Sequence, residues 1–465
     1  MFRTAQSPFT LARPSTSRSI QAHNTQPGSI GLLPVELLLE VFKLMDRNGL
    51  ALCMLVCKRW YDITSPDFFA DIPVRYSHRQ RFSRQFRAHP DHAYYVKDIY
   101  FFGRHWGDPG YTQYGDIDWR PFDIQVLAST LPVLRNLRRL FIVGYDNKTD
   151  LPLPLRRITR RQSAPVALQT LTLESCYNVP FILHGLFPLF SIDTLITDAF
   201  LWALFGRRPP VDINGLFPPA SLTIRNLVFR GPEQGFYELF ERALAPGVLR
   251  ALGTGSWWGW NLYTLKQFLR SDGARNLLSI SIGGLEPAEG TLSVCEVLGA
   301  ALTLCPQLQY VRIGLTHNGH PDNNAFSRPN ALDPLFASLP TTLRAFAFHV
   351  WILDFWQQPW GWSVSVMRHL DAVDRFLDPA GEGRRFRHLR RVELHVHYGY
   401  EKGMLCDTRA RKMRERPGPQ LEDLDQGVPL LPRLQVAGLL REIRVDEEGL
   451  GPDRSADVYW PADIM

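Results

Sequence analysis

A short pattern, apolar-x-x-apolar-x-apolar, returns ten times in this 465-residue chain and leaves few folds open to it. Two clear copies are Leu137/Leu140/Ile142 and Leu168/Leu171/Leu173. Weaker ones are Ile192/Leu195, Ile224/Leu227/Phe229 and Leu249/Leu252. Leu277/Ile280/Ile282, Leu308/Val311/Ile313 and Leu343/Phe346/Phe348 follow, and Leu389/Val392/Leu394 and Leu440/Ile443/Val445 close the series. Most copies lie roughly 25–35 residues apart, within the range of solenoid repeats. The apolar-x-apolar ending alternates as a strand does, with apolar side chains on one face and the residues between them on the other. Helical stretches separate the copies: Gly235 to Leu244, Leu262 to Arg270, Val294 to Leu304 and Ser363 to Leu377. Several returns end at a proline, such as Pro306 or Pro340. One strand and one helix cannot cover their own apolar side, whereas stacked neighbours bury a continuous core. The fold class expected is therefore α/β.

This region resembles irregular leucine-rich repeats, and the resemblance implies a horseshoe-like solenoid over residues 131–465. The chain departs from that family in three ways. It has no regular Asn at the turn position, its period drifts, and a long polar insert precedes the last copy. An ordinary α/β domain with several short strands is the competing reading.

The N-terminal part carries a different signal. Pro34 suits the first turn of a helix, where its missing N–H would have had no partner. Glu36 complements the positive end of that helix. Leu37, Leu38, Val41, Phe42 and Met45 recur at helical spacing as one apolar stripe. Asn48-Gly49 reads as a break, and a second apolar stretch runs from Leu50 to Trp60, closed by Ser65-Pro66. Two or three short helices in about 40 residues are marginal without a staple or a partner. Leftover apolar surface of this kind points to docking.

The order Leu33-Pro34-Val35-Glu36-Leu37-Leu38, then Leu55-Val56-Cys57-Lys58-Arg59-Trp60, resembles an F-box. That family forms a three-helix module gripping the Skp-type adaptor of a cullin-RING ubiquitin ligase, and here it would span residues 30–75. By position, the resemblance implies that Leu33, Pro34, Leu37, Leu38, Phe42, Leu55, Val56 and Trp60 form the core and the adaptor-facing surface. Cys57 and Lys58 would lie at that surface too. Residues 1–29 then read as a disordered tail and 76–130 as a connecting segment.

Composition narrows the rest. A content of 45% apolar residues is that of a folded chain. The formal charge is +6, but half of that excess is Arg3, Arg13 and Arg18, in a stretch without a single acid. Bulk charge thus gives little support for nucleic acid. Six scattered cysteines, Cys53, Cys57, Cys176, Cys295, Cys305 and Cys406, make no disulfide framework and fit a reducing compartment. The first 29 residues have a composition compatible with a mitochondrial transit peptide. An F-box, however, needs cytoplasmic or nuclear partners. No apolar run long enough to span a membrane occurs: Val179 to Phe205 is interrupted by His184, Pro188, Asp193 and Asp198.

Alternation places Arg391, Glu393, His395 and His397 on one strand face, which could be a metal site, a recognition surface or a plain polar face. No metal and no cofactor is expected. Trp257, Trp258 and Trp260, and again Trp351, Trp356, Trp360 and Trp362, cluster in loop-like sequence where they would pack beneath loops or anchor a partner. Basic groups at Arg156, Arg157, Arg160 and Arg161, and at Arg384, Arg385, Arg387, Arg390 and Arg391, read as solvated surface or as recognition of an acidic or phosphorylated segment. Residues 398–432 read as a long exposed loop or linker of mixed charge, with Arg409, Arg411, Lys412, Arg414 and Arg416 followed by Glu422, Asp423 and Asp425, and a nuclear-localisation or acidic-partner role is the alternative reading. No nucleophile elbow, phosphate loop or His-Glu-x-x-His motif occurs.

The combined expectation is a non-catalytic substrate receptor of a Skp–cullin–F-box ubiquitin ligase, with the F-box docking the adaptor and the repeats binding a target protein. Expected target-facing positions are the outward residues between the repeat leucines: Thr172, Glu174, Tyr310, Arg312, His349, Glu393, His395 and Arg444. The alternatives are an F-box scaffold outside ubiquitination, or an enzyme or nucleic-acid binder whose N-terminal helices only mimic the motif.

Overall fold

The apolar stretch that begins at Leu33 folds as three helices, α1 (Val35–Lys43), α2 (Arg47–Cys53) and α3 (Lys58–Ala70). The computed structural model describes residues 33–103, 122–145, 165–174, 176, 179–197, 216–230, 234–255, 262–285, 291–318, 332–353, 364–398 and 431–446. The chain divides between Phe68 and Phe69 into two compact units.

In the first unit, local chemistry moves the expected helix boundaries. Pro34 holds the N-cap position of α1 (φ −52°, ψ 149°), and its carbonyl accepts from the Leu38 N–H at 3.1 Å. Asn48-Gly49 lies inside α2 and does not break it. The break falls earlier, at Asp46, whose carboxylate accepts from the Gly49 N–H at 2.8 Å and so caps the new helix. The expected helix from Leu50 to Trp60 is split, because α2 ends at Cys53 and α3 begins at Lys58. Pro66 sits within α3 and does not close it. Trp60, Ile63 and Phe68 pack on the buried cluster Leu38, Phe42, Leu50 and Cys53 from both sides of that proline. This packing outweighs the one backbone hydrogen bond that proline removes.

The second unit is built on one open, parallel sheet. Its strands are β1 (Asp71–Arg75), β2 (Asp98–Phe102), β3 (Arg139–Val143), β4 (Val166–Glu174), β5 (Phe190–Thr197) and β6 (Asn226–Phe229). They continue as β7 (Ala251–Thr254), β8 (Ser279–Leu285), β9 (Tyr310–Asn318), β10 (Ala345–Leu353), β11 (Arg391–Tyr398) and β12 (Leu440–Asp446). Spatial order equals chain order, β1 to β12, and every neighbouring pair is parallel. That is the topology a stack of strand-and-return repeats must give.

The ten sequence copies fall on β3 to β12, but the sheet starts earlier than residue 131. The segment expected as a connector, 76–130, holds α4 (Arg79–Ala88), α5 (Pro90–Tyr95), β2 and α6 (Ile124–Thr130). Two more copies with the same spacing, Phe69/Ile72/Val74 and Val96/Ile99/Phe101, supply the buried residues of β1 and β2. Pro73, Tyr100 and Phe102 hide them by interrupting the apolar alternation.

Register explains the core. Ile99, Leu140, Leu171, Leu195 and Leu227 are aligned across successive strands, and Leu252, Ile280, Val311, Phe346 and Val392 continue the row. All ten have zero exposure. Each contributes roughly 1.5–3 kcal/mol relative to an exposed side chain. The returning helices cover this face. They include α7 (Val179–Leu186), α8 (Gln234–Ala243), α9 (Leu262–Leu269), α10 (Thr291–Leu302), α11 (Asp333–Ala337), α12 (Val364–Leu377) and α13 (Pro432–Val436). From α8 onward each helix packs on the next.

Candidate docking surfaces

The first unit buries one side of α1 and leaves another bare. Leu38 and Phe42 are sealed, and Phe42 meets Trp60 edge-to-face at 5.2 Å. Leu33 packs against the same cluster, and its carbonyl accepts from the Arg59 guanidinium at 2.7 Å. The Arg47 guanidinium lies 4.7 Å from the centre of the Phe68 ring. Leu37, Val41 and Leu44 follow one another at i, i+4 and i+7 and therefore share a ridge. All three are exposed, Leu44 at 89%. Val35, Met45, Leu52, Leu55 and Val56 are exposed as well.

Of the residues expected to serve adaptor binding, Leu38 and Phe42 are core, while Leu33 and Trp60 are partly buried against it. Pro34, Leu37, Leu55, Val56, Cys57 and Lys58 are exposed. The single apolar stripe expected on α1 is in fact two stripes, and only the one through Leu38 and Phe42 is used internally. Among the exposed apolar side chains, Leu44 and Leu52 were not picked out by the sequence reading. The i, i+4, i+7 spacing of Leu37, Val41 and Leu44 was the available signal.

On the second unit, the strand residues between the core positions form the sheet's other face. Thr172, Tyr310, His349 and Glu393 lie there as expected by parity, but they are buried and not open to solvent. Glu174, Arg312 and His395 are half-buried, and Arg444 stands in register beside His395. The reason is crowding across strands about 4.8 Å apart. Tyr310 packs with Ala345 and Ala347, and the rings of His349 and His395 stack at 4.3 Å with 8° between their planes. Glu393 accepts from Arg391 Nε and lies 3.5 Å from His395 Nε2. Burial disfavours the Glu393 charge, yet His395 and Arg391 outweigh it and hold the carboxyl below its ordinary range.

At the other end of the same face, Arg139 forks onto both oxygens of Asp98, with Nε to Oδ1 at 2.8 Å. Tyr100 stacks on Phe141 at 4.3 Å. Burial opposes the Asp98 charge, but the Arg139 guanidinium outweighs it and brings its pKa below the usual carboxylate value. At both ends of this face, then, the Asp98 and Glu393 carboxylates are paired with arginines of their own sheet.

Among the described residues no three His, Cys, Asp or Glu side chains come together as a metal site, and no helix is long and apolar enough to cross a membrane. Trp257, Trp258, Trp260, Trp356, Trp360 and Trp362, the basic group Arg156 to Arg161, residues 1–29 and residues 399–430 lie outside the described residues. Trp351 is in β10, in register with Thr316 and His397. The second basic group is not one patch. Arg385 donates to the carbonyls of Phe336 and Ala337 at the end of α11, Arg384 donates to Ala380, and Arg391 is taken by Glu393. Arg387 and Arg390 remain exposed.

A model of the F-box-like family matches residues 30–71, which covers α1, α2 and α3. No curated protein matches the chain. The N-terminal helical unit is thus F-box-like, a type of protein-interaction module, and it precedes a long parallel open sheet of solenoid-like order.

Proposed function

We propose that this chain is a non-catalytic receptor subunit of a Skp–cullin–F-box ubiquitin ligase. Its N-terminal helices dock a Skp-type adaptor, and its repeat region, read as irregular leucine-rich repeats, holds a target protein. The observation that carries this reading is the bare apolar side of the first unit, with Leu37, Val41, Leu44, Leu52, Leu55 and Val56 exposed within the F-box-like match. A helical unit this small gains little by leaving such side chains in water, and a partner's apolar surface removes the cost. The receptor's contribution is proximity: a bound target is presented at high effective concentration to an enzyme carried elsewhere in the assembly. Such a role places the protein in the cytoplasm or nucleus.

Adaptor capture by the purified full chain tests the proposal. Leu55→Asp/Val56→Asp changes two exposed positions and is expected to weaken capture by more than about tenfold, with the melting curve unchanged. Leu33→Ala/Pro34→Ala is expected to weaken it as well. Unchanged capture by both variants ends the docking assignment.

A further inference from the structure

On β2, β3 and β6 to β11 the residue just before the first registered position joins a backbone ladder at the strand-opening end of the sheet, which passes through the interior residues Gln169 of β4 and Asp193 of β5. Backbone bonds run from the Arg138 N–H to Lys97 O at 2.7 Å, from Arg250 to Arg225 at 2.7 Å, and from Arg390 to Arg344 at 2.8 Å, with the intervening rungs continuous from β5 to β11. Each of these positions lies two residues before a fully buried core residue: Lys97 before Ile99, Arg138 before Leu140, Arg225 before Leu227, Arg250 before Leu252, Arg344 before Phe346 and Arg390 before Val392. All six are exposed. Among the described residues Arg225 alone of the six reaches a carboxylate, Asp193 at 3.6 Å.

The charges come in doublets. They open β2 and β3, then β6 and β7, then β10 and β11. Gln169, Asp193, Leu278 and Gln309 stand between them on the same ladder. Adjacent strands are about 4.8 Å apart, so doublets recur about every 19 Å, the length of roughly six residues of extended chain. Exposed Arg135 and Arg387, three residues before Arg138 and Arg390, thicken the outer doublets.

We propose that this strand-opening edge binds an extended acidic polypeptide whose carboxylates come in pairs about six residues apart. Five of the six cations are arginines, whose planar forks suit carboxylates bidentately. A uniform polyphosphate fits less well. It would meet the Asp193 carboxylate and the apolar Leu278 midway, and the row offers no aromatic side chain on which bases could stack. The proposal deepens the receptor reading by naming a class of target, and it relocates recognition from the packed polar face to the sheet edge.

Fluorescence anisotropy on the full chain tests it. The probes are a labelled Gly/Ser peptide carrying three Glu-Glu pairs at that spacing, a peptide with the same glutamates gathered at one end, and an oligouridylate. The spaced peptide is expected to bind about tenfold tighter than the gathered one, and Arg225→Ala/Arg250→Ala or Arg344→Ala/Arg390→Ala to weaken it about tenfold each. Circular dichroism should be unaltered in both variants. Equal binding of the two peptides, or tighter binding of the oligouridylate, overturns the proposal. Adaptor capture is read on the same variants: its retention in Arg225→Ala/Arg250→Ala, and peptide binding retained in Leu55→Asp/Val56→Asp, separate failure of this inference from failure of the docking assignment.

Discussion

Leu44 and Leu252 are each part of a regularly spaced apolar pattern, yet the first is 89% exposed and the second fully buried. The first unit has three short helices and one small cluster, Leu38, Phe42, Leu50 and Cys53, with too little chain to cover both sides of α1. In the second, strands borrow cover from the strands beside them and from the described returning helices, so a row of ten residues from Ile99 to Val392 loses all contact with water. Stacked repeats complete one another, whereas a helical trio of this size leaves apolar side chains exposed. What the repeat unit leaves open is charge: Asp98 with Arg139 and Glu393 with Arg391 pair on the polar face, whereas of the six strand-opening cations Arg225 alone has an ion pair among the described residues.

The sharpest way to break this contrast is to remove one side chain of each kind. Phe346→Ala opens a cavity in the aligned row and is expected to cost about 3–5 kcal/mol, read as a lower melting temperature. Leu44→Ser should stay within about 0.5 kcal/mol, because its side chain already stands in water. Equal losses would mean that the bare side of α1 is structural after all.

A smaller effect comes from acid. Asp98 and Glu393 both resist ionisation by burial, yet both are held below their ordinary pKa by arginine partners, with His395 joining at Glu393. A depressed folded-state value contributes stability above the unfolded pKa of about 4, and that stability is lost as pH falls through the folded value. The melting temperature is therefore expected to drop on acidification from about pH 5 to about pH 2. Asp98→Asn should flatten that limb, and an unchanged limb would show that the Asp98–Arg139 fork does not stabilise the sheet. The smallest expected effect separates two members of one basic cluster. Arg385→Ala leaves the last carbonyls of α11 without their donor and should cost about 1 kcal/mol in a denaturant melt. Arg390→Ala should cost less than about 0.5 kcal/mol.

Much of this was legible in particular residues. Leu168-x-x-Leu171-x-Leu173 and its relatives announce strands through a period of two, and stretches such as Leu262 to Arg270 announce the helical returns. β1 and β2 were hidden because Pro73 and the aromatics Tyr100 and Phe102 occupy the positions that should look polar. The break at Asp46 was hidden because Asn48-Gly49 carries the louder local signal, although a capping carboxylate decides the boundary. The strand-opening cations were visible as Arg-x-Leu and its variants, but nothing in one copy says that its arginine will line up with another's.

By itself the sequence determined the repeating strand-and-return architecture and the F-box-like character of the N-terminal helices, because both rest on spacing between near neighbours. Only the tertiary structure decided which apolar side chains on α1 stay bare, that the outward residues Thr172, Tyr310, His349 and Glu393 are covered, and that cations far apart in the chain fall on one edge. Those outcomes depend on cross-strand register and on how many neighbours each surface finds, and neither quantity exists until the chain has packed.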